Sequence, residues 1–467
     1  MITTLGELNY YFTLYSVPVK PLGEAIPPEE RDFLPENPSA ILTGVKLENT
    51  EKETSELTLG AAITIALENN PDLDSMVKSV EKSRYLHTAA RKEWMPVIST
   101  DYSFTGFPEE IQMIMDGEEF PVMPNTEFVW GVHAKMPLYT AGATQYKETI
   151  AKLGIDVSRW KYLEAKSDLI QEVTVNFLTA LRCGHYRDVS RENLIRYEKH
   201  EEITKKFFEA LIVPKNTLLE IQAKSAGARQ ELIVAKKNLK LSKSALNVSM
   251  GLDVDTPFAL RDITERRDWP LSYAECLDIA SENNPSLVAY RYIEKTAKYK
   301  IELAKTDSRP QVTGQISYYR HGKTPELAGD DFFTNNNVVG MIVAKWDVFD
   351  WLKTKDLTDA KKKELEILID RRGMLGKRVS YDVKKSFLSL EAAKSMFFAA
   401  EEEVRYAKEN YRISRLRYKE RVGRSIEVNN ALVLFKKAQY RYYSAFYDYN
   451  AALAKLERVM GTNIKFR

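Results

Sequence analysis

Two long stretches of the chain, roughly 142–210 and 352–420, carry apolar residues at helical spacing and no proline. In the first, Ile155, Tyr162, Leu169, Val173, Phe177 and Leu181 mark one face, and only Gly154 and Gly184 interrupt it. In the second, only Gly373 and Gly376 interrupt. A helix of about 68 residues rises about 100 Å at 1.5 Å per residue. Each stretch is followed by a short break, Ile212–Asn216 or Val422–Ser425, and by a returning helix that ends at Met250–Gly251 or Met460–Gly461. A glycine there suits a helix C-terminus. Helices this long, with charges of both signs on their exposed faces, indicate coiled-coil packing. Upstream, residues 58–95 predict two helices separated at Asn70–Pro71, because proline ends one helix and opens the next. Pro96 is expected to stop the second.

After Pro96 the period drops from 3.6 to 2. Ile98, Thr100, Tyr102 and Phe104 alternate with Val97, Ser99, Asp101 and Ser103. Phe128, Trp130, Val132, Ala134 and Met136 alternate with Glu127, Val129, Gly131, His133 and Lys135. Two further runs keep the same phase. Val312, Gly314, Ile316 and Tyr318 oppose Gln311, Thr313, Gln315 and Ser317; Val338, Gly340, Ile342, Ala344 and Trp346 oppose Val339, Met341, Val343, Lys345 and Asp347. Each run is a strand with one apolar, aromatic face. The stretches 105–126 and 320–336 read as loops rich in Pro, Gly, Asn and acidic residues. Two readings stay open: a half-buried soluble sheet, or part of a membrane barrel with apolar residues outward. Four strands cannot close a barrel, and open edges are not tolerated in lipid. Membrane strands would therefore have to be pooled from several copies.

The pattern occurs twice. Leu57, Glu68, Asn69, Asn70, Pro71, Leu73, Tyr85 and Pro96 recur as Leu271, Glu282, Asn283, Asn284, Pro285, Leu287, Tyr299 and Pro310, at an offset of about 214 residues. Further on, Lys135, Met250 and Gly251 answer to Lys345, Met460 and Gly461 at an offset of about 210. The chain thus reads as an arm at 1–56, a first repeat at 57–251, a linker at 252–270, a second repeat at 271–461 and a tail at 462–467. Each repeat is helix, helix, strand, strand, long helix, returning helix.

Composition adds exclusions. Of 467 residues 44% are hydrophobic and 29% charged, which excludes wholesale disorder. A net charge of +2 calls for no nucleic-acid partner. The 25 tyrosines suit membrane interfaces and crowded helix seams. Cys183 and Cys276 show no CxxC spacing and read as buried thiols. No run of about 20 apolar residues predicts a transmembrane helix. The opening MITTLGELNYYFTLYSVPVK lacks a basic n-region and a clean apolar h-region, so an export signal is either already removed or absent. His87, His133, His185, His200 and His321 lack carboxylate or cysteine companions at ligand spacing. With no phosphate-binding glycine loop or nucleophile elbow either, the expectation is no catalytic, cofactor or metal site.

The duplicated entry at Ala62–Pro71 and Cys276–Pro285 belongs to a named pattern. So do MPLYTAGA and WDVFDWLK at the strand-to-helix junctions, the tips VPKNTLLEIQA and RVGRSIEVNNA, and the closing ALAKLERVMG. In order and spacing they resemble the TolC family of outer-membrane efflux channels, across roughly residues 57–464. The resemblance implies a mainly α chain carrying part of a membrane β-barrel. It implies a homotrimer with twelve pooled strands, a periplasmic α-helical tunnel in a Gram-negative bacterium, and no enzyme activity. The partners implied are a periplasmic adaptor and an inner-membrane pump of the resistance-nodulation-division, ABC or major-facilitator type. It also implies a periplasmic entrance at Tyr418, Glu427 and Asn430 and, in the first half, Phe208, Thr217 and Glu220. Glu427 would keep one family acid and Asn430 replace another, so a ring of Glu427 and Glu220 would favour cations weakly. The family's tip arginine falls on Gly423, flanked by Arg421 and Arg424. Adaptor docking is expected at Val213, Pro214, Lys215, Arg421, Val422, Gly423 and Arg424. Phe128, Trp130, Val132, Val312, Ile316, Ile342 and Trp346 should face lipid, and Glu127, His133, Lys135, Gln315 and Asp347 water. The competing reading is a periplasmic or soluble coiled-coil scaffold with a small sheet, extractable without detergent.

Overall fold

The computed structural model describes residues 56–108, 111–115, 118–123, 125–263, 266–328 and 336–463. The expected arm and the end of the expected tail lie outside them. The chain forms two compact units, one drawn from Glu81–Asp156 and Tyr292–Ile369, the other including Val157–Arg291 and Asp370–Arg467.

The first unit holds the sheet. Strands β1 (Val97–Gly106), β4 (Thr126–Tyr139), β5 (Gln311–Gly322) and β6 (Asn336–Lys345) pair antiparallel in the order β1-β4-β5-β6. The register keeps the sequence phase across all four. Thr100 opposes Val132, which opposes Tyr318, which opposes Val338. A bulge between Pro137 and Tyr139 shifts the central register before its last pair, Tyr139 with Val312, next to a proline that has no N–H to give. One expectation changes. The stretch 105–126 is not all loop, because β2 (Ile111–Met115) and β3 (Glu118–Met123) form a separate hairpin.

The second unit holds most of the helical residues, and the helices, four of which continue into the first unit, show the duplication most directly. Helices α1 (Leu59–Asn69) and α2 (Pro71–Lys92) enter, α3 (Ala143–Glu209) runs down and α4 (Lys215–Ser249) returns. The second half repeats this as α5 (Tyr273–Asn283), α6 (Pro285–Lys305), α7 (Lys353–Lys419) and α8 (Ser425–Met460). α2 stops at Lys92, four residues before the proline expected to end it. Thr58 caps α1, and Ser272 with Glu275 forms a capping box on α5. The cores repeat as well: Val173 and Val383, Leu246 and Leu456, Met250 and Met460 are buried at equivalent positions. Cys276 joins this core, but Cys183 is only half-buried; both are free thiols.

Each half is locked by its own pair of motifs. Asn70 accepts N–H bonds from Asp72 (3.0 Å) and Leu73 (3.2 Å) while its amide donates to Ser249 O at 3.2 Å. Asn284 does the same with Ser286 (3.1 Å), Leu287 (3.3 Å) and Val459 O (2.9 Å). The returning helices end on Gly251 (φ 71°) and Gly461 (φ 73°), pressed against the backbone of Asn69 and Asn283. The asparagine turn and the terminal glycine are thus two parts of one joint.

Candidate functional site

Two surfaces carry the expected site residues. The first is the sheet. On its apolar face, Tyr102, Phe104, Phe128, Trp130 and Tyr318 cluster toward the β1–β4 loop, with Phe104 and Phe128 rings 4.8 Å apart and Trp130 edge-on to Tyr318 at 6.1 Å. The Trp130 indole N–H donates to Thr100 Oγ1 at 2.9 Å. Ala134 and Gly340 flank Ile316, and Ile342 lies opposite Gly314. Val312 opposes Ala344 on the same face, and Trp346 lies just past β6, donating to Ser308 O at 3.0 Å. Phe128, Trp130, Val132, Val312, Ile316 and Ile342 therefore share one face of the sheet, and Trp346 lies beyond its edge strand.

The opposite face is a polar network. The two nitrogens of His133 contact Ser317 Oγ at 2.9 Å and Asp101, and Gln315 donates to Ser317 at 3.0 Å. His321 bonds Glu127 at 3.0 Å, and Tyr319 stands between the two imidazoles. Gly131 makes this possible, since a Cβ there would lie 2.6 Å from the His133 ring. Lys135 pairs in register with Gln315, while Lys345 and Asp347 approach to 3.8 Å at the strand end. Sequence spacing missed these carboxylate companions because they come from neighbouring strands. His185 likewise meets Asp262 at 3.0 Å. Among the described residues no group of three or more His, Cys, Asp or Glu could hold a metal, and no helix is long and apolar enough to cross a membrane.

The second surface is the pair of tips, where the two halves share one turn. Leu211 (φ 61°) and Arg421 (φ 60°) take the left-handed conformation. The next N–H reaches back to the helix, from Ile212 to Phe207 O at 2.8 Å and from Val422 to Arg417 O at 2.9 Å. This is the Schellman arrangement, here without glycine at its left-handed position. Val213 is half-buried, Pro214 and Lys215 are exposed, and Arg421, Val422 and Arg424 are exposed around half-buried Gly423. Pro214 and Arg424 are the N-caps of α4 and α8.

The expected entrance residues do not all come together. Tyr418 is 4% exposed, its hydroxyl 3.1 Å from Thr204 Oγ1 and its ring against His200 and Phe207. Within this chain it packs between α7 and α3. Glu427 is half-buried and lies 3.6 Å from Arg417, a partner the sequence did not reveal. Asn430 and Glu220 are exposed, and Phe208 and Thr217 half-buried. Neighbouring Asn429 is buried and accepts from Tyr197 at 2.9 Å, and burial pushes that phenol up to about 12.

His200, which has no companion at ligand spacing in the sequence, is 5% exposed, with Nε2 3.0 Å from Ser425 Oγ. Burial lowers its pKa from 6.5 to about 4. Between those values the unfolded chain holds a proton that the folded chain does not. The stability at stake is complete above pH 6.5 and is lost as pH falls through that window. The thermal midpoint should therefore drop between about pH 7.5 and about pH 5, and His200→Gln should flatten part of the slope. An unchanged slope in the variant would place the acid sensitivity elsewhere.

An antiparallel sheet with one apolar, aromatic face and two open edges, together with duplicated long helical hairpins, is the fold of an outer-membrane channel protein. The chain belongs to the outer membrane efflux protein family, whose model matches residues 62–252 and 276–462. It is an exit duct of the outer membrane of Gram-negative bacteria, with its helical part in the periplasm. The family works with an adaptor and an inner-membrane pump, and the soluble-scaffold reading is not favoured. Similar solved folds include the CusC channel (TM-score 0.75, 13% identity, 89% of this chain and 95% of that one). They also include the CmeC outer membrane channel of Campylobacter jejuni (0.74, 13%, 90% and 91%) and the open state of the MtrE outer membrane channel of Neisseria gonorrhoeae (0.72, 18%, 87% and 89%). No curated protein matches the chain by sequence.

Proposed function

We propose that three copies of the chain form one duct, with β6 of each copy pairing with β1 of the next to close a twelve-stranded barrel. The observation that carries this reading is the open four-stranded sheet whose apolar face stays in phase from edge to edge. Unpaired edges are unsustainable in lipid, and closure between copies removes them. The apolar face then meets lipid and the histidine–carboxylate face lines water. Exposed apolar residues at heptad spacing support association of the helices: Met374, Tyr381 and Leu388 on α7, and Val234, Leu241 and Val248 on α4. The tips face the periplasmic adaptor, and the pump behind it is of the resistance-nodulation-division, ABC or major-facilitator type.

Light scattering in detergent and single-channel recording test this together. The expected outcome is a trimer that conducts in planar bilayers; a non-conducting monomer overturns it. Ion selectivity tests the entrance. With Arg417 beside it, the Glu427 carboxylate is largely offset, so Glu427→Gln should shift the reversal potential little. Arg417→Gln should expose the acidic ring and raise cation preference. A larger shift in Glu427→Gln than in Arg417→Gln would mean that Arg417 does not offset the carboxylate, and an unchanged reversal potential in both variants would remove Glu427 from the conduction path.

A further inference from the structure

The two tips have one backbone and opposite chemistry. Along the last turns of α7, Lys408, Arg412, Arg415 and Lys419 recur at i, i+4, i+7 and i+11, a single stripe on one helix face. The equivalent stripe on α3 is Glu198, Glu202, Lys205 and Glu209. The charge is inverted at three of four positions. All four residues of the α7 stripe are exposed. Arg412 pairs with Glu409 at 2.7 Å, but Lys408, Arg415 and Lys419 have no ion-pair partner among the described residues.

This is unlike the other end of the same helix. There Lys361, Lys362 and Lys363 each meet a carboxylate within one turn, at 2.7, 2.7 and 2.8 Å. A run of cations on a solvated face is ordinarily interleaved with acids in that way. Near the tip the interleaving stops. Residues 412–424 hold six cations and one carboxylate, against two of each in the equivalent 202–214. Self-repulsion of this kind is relieved when a surface of opposite sign docks.

We infer that the α7 stripe is a docking rail for an acidic helix of the partner protein, running alongside the last three turns of α7. The inference rests on the reading of the tips as the adaptor-facing end, and it names the chemistry of that contact. A stripe at helical period fits a helix whose acids recur with the same period. On α3 the acids of the equivalent stripe are largely met within the chain, Glu202 by Lys206 at 2.8 Å and Glu198 by Arg229 at 3.7 Å. An acidic partner helix therefore distinguishes the two halves of the chain by seeking α7.

The test uses the full chain in detergent and two synthetic helical hairpins. They are identical except for four glutamates or four lysines at i, i+4, i+7 and i+11 of one helix. The glutamate hairpin should bind more tightly by at least about tenfold, with a preference that fades as salt rises. In the variant K408E/R415E/K419E the preference should pass to the lysine hairpin. If that variant does not assemble, K408Q/R415Q/K419Q should abolish the preference without reversing it. Equal binding of both hairpins, or a preference unchanged in the variants, overturns the proposal. So does a variant that binds both hairpins as before but changes reversal potential, because the stripe then lines the conduction path. So does binding of anionic phosphatidylglycerol vesicles in place of either hairpin. Planar-bilayer recording on the same preparation separates the two levels: a conducting channel with no hairpin preference sinks this inference alone, and a non-conducting one sinks the duct reading.

Discussion

Alanine in place of Gly461 is expected to destabilise the helical unit by about 2–5 kcal/mol. About 1–2 kcal/mol of this is the ordinary penalty of a side chain in the left-handed region. A further 1–3 or so follows from forcing a methyl group into filled space. The new Cβ would lie 2.4 Å from Asn283 O and 3.2 Å from the Pro285 ring. Neither neighbour is a flexible chain end. Asn283 O is backbone, and the Asn284 amide holds the adjoining turn against Val459 O. Gly251→Ala meets the same obstacle, 2.4 Å from Asn69 O, and should cost a similar amount. The control is Gly373→Ala in α7, where a Cβ meets nothing within 4 Å. That change should be neutral or stabilising by up to about 1 kcal/mol, as glycine in a helix interior is the poorer residue. Denaturant unfolding followed by circular dichroism ranks the three. A Gly461→Ala loss no larger than the control's would mean that the asparagine turn is free to move, and the joint is not a joint.

Arginine at Ile342 or Val132 should cost about 2–4 kcal/mol near the bilayer midplane, the price of a cation on the lipid face of a barrel. Both lie on the apolar face, Ile342 opposite Gly314 and Val132 between Thr100 and Tyr318. Arginine at His133 should be tolerated, since the neighbouring strand already supplies the Asp101 carboxylate there. Unfolding in vesicles reads the energies. Cysteine labelling reads the phase, in a background where Cys183 and Cys276 are replaced. A water-soluble reagent should label cysteine at 133 and spare cysteine at 132. The reverse pattern would turn the sheet inside out.

What could be read along the chain was whatever depends on residues close together in sequence. The strand phase at Trp130 and Ile316, the break at Asn70–Pro71 and the terminal glycines are properties of local spacing, and each appears where its pattern places it. The repeat made the reading stronger, because a signal seen twice in phase is hard to mistake. The hairpin Ile111–Met123 was hidden by its prolines and acids, although the Asp116–Gly117 pair is itself a hairpin signal. The site chemistry was mostly out of reach. Asp101 finds His133 only through the β1–β4 register, and Arg417 finds Glu427 only because the tip turns back on itself. The contacts of Tyr418 were equally out of reach: its ring lies against His200 and Phe207, which sit on the other long helix about 210 residues away.

At the tips, Leu211, Ile212, Val213 and Pro214 occupy the places of Arg421, Val422, Gly423 and Arg424, and not one residue is shared. Four backbone bonds are common to both, and the second tip adds one from Gly423 N–H to Arg417 O at 3.0 Å. One chain therefore contains two independent solutions to a single turn, an internal record of how little the turn asks of its side chains. Substitutions there can change what the end of the hairpin touches while leaving its path alone. A duplicated gene with such a hinge can specialise one contact point while the other keeps the old partner engaged, and so can change allegiance in small steps without passing through a misfolded ancestor.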